Sequence, residues 1–104
     1  MNLEAINKEM VERWKDVKVD KGYDIPYLAG YSKDGSTVYI DRHIPKEILK
    51  KYEFSLKVHE LSEWIGIHKY GLNYQNSHTY VATVLEKYYT EKRRYNWKKY
   101  NEEL

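Results

Sequence analysis

The chain has no cysteine, and this one absence removes disulfide cross-links, thiolate metal knots and a thiol nucleophile together. Any metal it holds must be ligated by histidine and carboxylate. It also lacks a run approaching the roughly 20 unbroken apolar residues that a bilayer crossing requires, and 33% of its residues are charged. Glu4, Glu9 and Glu12 interrupt the stretch in which a secretory signal would need an apolar core, so the expectation is a cytoplasmic protein with no membrane association. No glycine-rich phosphate loop and no serine nucleophile elbow is present, which sets aside nucleotide hydrolysis and serine-esterase chemistry.

What is there is short and mixed in character. The 104 residues leave room for one domain, taken as 1–104, with one modest core. Net charge is only +2, too small to argue for nucleic acid by itself. Twelve tyrosines stand out, and their amphipathic rings suit core and boundary positions where the hydroxyl finds a partner or water.

Periodicity divides the chain into three main helices and a β-hairpin, an α+β fold. Leu3, Ile6, Met10, Trp14 and Val17 recur at helical spacing behind Asn2, a good N-cap, which predicts a first helix over 1–20 ended by Gly22. Residues 27–42 read as a hairpin around Lys33-Asp34-Gly35-Ser36, where Asp-Gly supplies the positive φ of a tight turn. Val38 and Ile40 point to one face, and Tyr39 and Asp41 to the other. Pro45 closes the strand and opens a short helical segment through Ile48, Leu49 and Tyr52. A central helix spans 53–71, with Val58, Leu61 and Ile65 as its apolar stripe and Gly71 as a left-handed cap. A last helix spans 76–96, capped by Asn76 or Ser77 and carried by Val81 and Leu85.

The chemistry concentrates on the central helix. At about 100° per residue, His59 and Glu63 stand roughly 40° apart on successive turns, close enough to grip one ion. Zinc takes imidazole nitrogen and carboxylate oxygen, and a catalytic site has three protein ligands with a fourth position open. His78 opens the next helix after a short loop, so an antiparallel return brings it over His59 and Glu63 as the third ligand. Glu60 is turned about 100° from His59, where a carboxylate can act as general base. Gly66 shares the His59 face, where any side chain would crowd the site.

The run His59-Glu60-Leu61-Ser62-Glu63 resembles the helix of zincin-like metallopeptidases, with a carboxylate where the second histidine usually stands. The resemblance covers roughly residues 37–86. It implies that 37–42 is the edge strand beside the active helix, that Zn2+ or another divalent cation is the cofactor, and that the substrate is a peptide or protein. The same run resembles small phage and bacterial proteins with a strand ending in Asp-Arg, a His-Glu helix, then Tyr-x-x-x-His and a glutamate. Gly66 and His68 also resemble the longer zincin motif, but the histidine comes one position early and faces about 180° from His59. His68 therefore ranks below His78, with packing at the core boundary as its first role.

Glu86, two turns beyond His78 and displaced by about 80°, suits a contact to a ligand histidine or an ordinary ion pair. Arg42 or one of the tyrosines is expected to stabilise an oxyanion, and His43 reads as a solvent-exposed strand-end residue. The expected function is a zinc-dependent hydrolase, a peptidase or amide hydrolase, built as a minimal zincin-like domain. The first rival is a non-catalytic, phage-encoded module that engages a host protein and keeps the metal site as structure or relic. The second uses Lys87, Lys92, Arg93, Arg94, Lys98 and Lys99, interleaved with tyrosines and Trp97, to bind nucleic acid. Basic helix ends also arise for dipole reasons, so nucleic acid ranks last.

Overall fold

A computed structural model describes residues 2–104. The fold is α+β: a three-stranded sheet on one side of a long central helix, with further helices on its other sides. No helix among the described residues is long and apolar enough to cross a membrane.

Helix α1 (Leu3–Arg13) starts at Asn2, whose side-chain oxygen accepts the amide of Ala5, and it buries Ile6 and Met10. It is shorter than the periodicity predicts, because after a 3-10 turn at Trp14–Asp16 the chain becomes strand β1 (Lys18–Tyr23). Val17 falls on the helical stripe, but Val17 and Val19 also alternate with Lys18 and Asp20. The period of two prevails, because β1 pairs in parallel with a later strand. Strands β2 (Ala29–Tyr31) and β3 (Thr37–Asp41) form the expected antiparallel hairpin, turning at Gly35 with φ 74°. The sheet order is β1-β3-β2. Residues 37–41 therefore form the central strand, not the edge strand that the resemblance implied; β1 and β2 are the edges. Val38 and Ile40 are buried against the helices.

Helix α2 (Lys46–Tyr70) merges the two segments read separately from the sequence. Nothing between Pro45 and Gly71 breaks it except Gly66, which is tolerated, and Gly71 ends it with φ 68°. Residues 55–66 are all buried, so α2 carries far more than an apolar stripe; the sheet, α1 and the C-terminal helices enclose it. The turn of the hairpin is pinned to it, because Trp64 Nε1 donates to the Lys33 carbonyl at 3.0 Å. A Cβ on Gly35 would lie 2.5 Å from the Trp64 ring, so the turn needs glycine for clearance as well as for φ.

The last helical stretch begins earlier than the sequence suggests. Asn73, not Asn76 or Ser77, caps α3 (Tyr74–Ser77), with its side-chain oxygen accepting the Asn76 amide. A π turn at His78–Ala82 leads into α4 (Thr83–Lys92), and Arg94 ends the run with φ 70°. A separate helix, α5 (Trp97–Glu103), then seats Tyr100 against Tyr52, both 1% exposed.

Candidate metal centre

His59, Glu60 and Glu63 are buried on α2, and His78 leans over them from the start of the π turn. His59 Nε2 lies 3.1 Å from Glu63 Oε2 and 3.2 Å from His78 Nδ1, and His78 Nδ1 lies 2.9 Å from Glu63 Oε2. Three donor atoms thus form a nearly equilateral triangle. Tetrahedral zinc ligands at about 2.0–2.2 Å from the ion stand roughly 3.3–3.5 Å apart, so an ion fits after an expansion of a few tenths of an ångström.

His59 is oriented from behind. Its Nδ1 lies 2.7 Å from Glu86 Oε1, and the other oxygen of Glu86 accepts the hydroxyl of Tyr100. An Nδ1–H donated to Glu86 leaves Nε2 facing Glu63 and His78. The π turn explains why Glu86 reaches so far. Eight ordinary helical steps from His78 would turn Glu86 by about 80°, but a π turn absorbs one residue, leaving about 20°. His78 and Glu86 therefore address α2 from one face.

Close approach of α3 to α2 depends on Gly66. A Cβ there would stand 2.2 Å from Ser77 Oγ, and that hydroxyl donates to the Glu63 carbonyl at 2.8 Å. The residue that must be small on α2 thus touches the residue before His78. On the remaining side Tyr31 from the edge strand donates its hydroxyl to Glu63 Oε1 at 3.2 Å, leaving Oε2 for the triangle. Tyr74 stacks on His78 with ring centroids 5.4 Å apart.

The charges follow from this packing. Burial alone would push the His59 imidazolium toward deprotonation, but its contacts to Glu63 and Glu86 outweigh it and raise the pKa to about 10. Glu63 is also buried, yet hydrogen bonds from His59 and His78 hold it below the usual carboxylate range. Glu60 has no hydrogen-bond partner among the described residues. Burial pushes its pKa up to about 7, the His59 charge opposes that rise, and Glu63 and Glu86 add to it. Burial and the neighbouring Glu63 keep the Tyr31 phenol protonated. Two buried carboxylates and the half-buried Glu86 around two histidines form an arrangement that a cation would neutralise.

A cleft of about 700 Å³ opens over the triangle, lined on one side by Tyr27 to Tyr31 and on the other by Glu60, Tyr74 and His78. Two residues expected near the site are elsewhere. Arg42 is exposed beyond the end of β3 and does not line the cleft, whereas Tyr31 and Tyr74 do. His68 lies one turn past Trp64, stacks on its ring at 4.8 Å and donates to its carbonyl, away from the triangle. His43 is exposed as expected, between Asp24 and Asp41. Sequence reasoning missed Tyr31 and Tyr74, since only strand register and the loop path bring them here.

The basic, aromatic C-terminal stretch is largely committed to packing. Tyr89 donates to Asn7, Tyr95 meets Tyr52 edge-on, and Trp97 stacks on the buried Tyr100. Few of its rings remain to stack on bases. Comparison of the chain with protein-family models, with curated proteins and with solved structures finds no match.

Proposed function

We propose that the chain is a zinc-dependent hydrolase acting on a peptide or amide bond, with His59, Glu63 and His78 as metal ligands and Glu60 as general base. The observation that carries this reading is the triangle of donor atoms, 2.9–3.2 Å on a side, beside a buried carboxylate, Glu60, that has no hydrogen-bond partner among the described residues. A cation held there supplies an electrophile and a water whose pKa is lowered to about 7. Glu60, with its own pKa near 7, is matched to take a proton at neutral pH and return it to a leaving amine. The resemblance of His59-Glu60-Leu61-Ser62-Glu63 to the zincin helix supports the same assignment of roles. The cleft bounded by the β2 edge admits an extended chain beside α2, and Tyr74, whose hydroxyl donates to no described residue, lines it.

The test uses one isosteric change. Glu60→Gln keeps the size and polarity of the side chain but removes the base. Hydrolysis of a fluorogenic peptide library by the zinc-loaded protein should fall by two to four orders of magnitude, the usual worth of a general base of roughly 10²–10⁴. Bound zinc, measured by elemental analysis, should stay at one per chain in the variant. A parent that binds zinc but hydrolyses nothing in the library would leave only a structural metal site.

A further inference from the structure

A second cleft of about 530 Å³ lies on a different face of α2, and its composition is unlike that of the first. Lys46, Lys50, Glu53 and Lys57 line it from α2, Lys21 reaches in from β1, and Arg93 from the end of α4. The α2 residues follow the spacing of a single helix face, whereas Glu63 and His59 project roughly 110° and 150° away from it. The five cations against one carboxylate leave a local excess of positive charge larger than the net charge of the whole chain, +2. The single carboxylate is already engaged, since Lys21 Nζ lies 2.8 Å from Glu53 Oε1.

Lys57 carries the point further. It is only 9% exposed, and its ammonium donates to the Trp14 carbonyl at 2.7 Å and sits 4.3 Å over the Trp14 ring. No carboxylate lies within ion-pair distance of it among the described residues. Buried ammonium groups are normally matched by an anion, because removing the charge from water is costly. Arg93 is held over Phe54 at 4.5 Å, so its guanidinium edge stays free to donate. The N-terminus of the 25-residue α2 opens at Lys46 with no side-chain cap, adding unsatisfied backbone N–H groups at one end of the cleft.

We propose that this cleft binds a small phosphate-bearing molecule of nucleotide size, with the phosphate held by Lys46, Lys50 and Lys57. The volume lies within the roughly 300–1,000 Å³ of small-molecule sites. Leu49, Val19 and the edges of Trp14 and Phe54 give the rest of the ligand an apolar wall. The site is independent of the metal centre: different residues on a different face of α2 build it.

The test is calorimetric titration of the full chain, stripped of metal with chelator so that no phosphate can bind through a cation at His59. The probes are ADP and inorganic pyrophosphate. Both should bind at low salt, with affinity falling steeply as ionic strength rises. Lys46→Glu combined with Lys50→Glu should weaken ADP by at least about tenfold, because each reversal places an anion on an anion. Both positions are outside the core, so the fold should be retained, and thermal melting checks this. His59→Ala should leave ADP affinity unchanged while abolishing zinc binding. Failure of ADP and pyrophosphate to bind at about 5 mM would overturn the proposal. So would equal affinity in the double variant, or binding of a single-stranded oligonucleotide with none of ADP. Zinc titration of the same samples separates that failure from failure of the hydrolase reading.

Discussion

Gly66→Ala is the sharpest perturbation the packing offers, because it adds one methyl at the α2–α3 contact and touches no ligand. The new Cβ would stand 2.2 Å from Ser77 Oγ, 3.2 Å from Ser77 Cβ and 3.4 Å from Leu72 Cδ1. Relief requires a displacement of about 1 Å, either by rotating the Ser77 hydroxyl away or by moving α3 off α2. Rotation breaks the 2.8 Å bond from Ser77 Oγ to the Glu63 carbonyl inside a fully buried contact. Movement carries His78, the next residue, away from a triangle only 2.9–3.2 Å on a side. Overpacking costs about 1–3 kcal/mol, and the better helix propensity of alanine returns up to about 1 kcal/mol. Stability should therefore fall by no more than about 3 kcal/mol.

Metal affinity should suffer more than stability, since a site displaced by about 1 Å loses on the order of a hundredfold. Titration with Co2+, followed by its visible absorption, and thermal melting on the same samples measure the two effects separately. Ser77→Ala removes the atom that clashes most while forfeiting its hydrogen bond, so alone it should weaken cobalt slightly. In combination with Gly66→Ala it should restore part of the lost affinity, a non-additive outcome expected for residues in contact. Parental cobalt affinity in Gly66→Ala, with or without a lower melting temperature, would refute the claim that this glycine sets the position of His78.

Glu86→Gln should lower zinc affinity by about 10–100-fold in a competition assay with a chelating dye, because the carboxylate that orients and polarises His59 is lost while its shape remains; unchanged affinity would remove Glu86 from that role. The His59 pKa, raised from 6.5 to about 10, means that zinc must displace a proton, so affinity should rise by about tenfold per pH unit between pH 7 and 9. In metal-free protein the sign reverses. His59 contributes stability that is complete below pH 6.5 and lost as pH rises to about 10, and the raised Glu60 pKa lowers stability between 4.5 and about 7. Urea melts of chelator-treated protein should therefore weaken steadily above neutrality, and a flat profile would contradict the pairing of His59 with Glu63 and Glu86.

The sequence carried the site further than the scaffold around it. His59, Glu60 and Glu63 share one helix, so 3.6-residue geometry alone places them, and the short loop before His78 limits where that imidazole can go. Glu86 was displaced by about 80° on paper because a π turn leaves no trace in composition. β1 was hidden for a different reason: Val17 satisfies both a helical and a strand period, and only long-range pairing with β3 decides between them. The join at residues 52–53 was misplaced because a chain with no breaker there simply continues the helix. Between Arg42 and the tyrosines the sequence offers no choice; with β3 in the centre and β2 at the rim, it is Tyr31 on β2 that reaches Glu63.

The polar content of α2 is hard to explain as scaffolding. Residues 55–66 are buried without a gap, yet His59, Glu60, Ser62 and Glu63 fall among them, and the Ser62 hydroxyl has no partner among the described residues. Apolar residues of similar volume would pack the same space without removing charges from water. Protons alone also satisfy the triangle poorly. With Nδ1 of His59 donating to Glu86, protons satisfy at most two of the three edges among Nε2, His78 Nδ1 and Glu63 Oε2; when both imidazoles donate to Glu63, the Nε2–Nδ1 edge sets N–H against N–H. A cation satisfies all three lone pairs at once. That difference is why metal binding and folding should be coupled here, with zinc stabilising the chain by about 4 kcal/mol at a thousandfold excess over its dissociation constant.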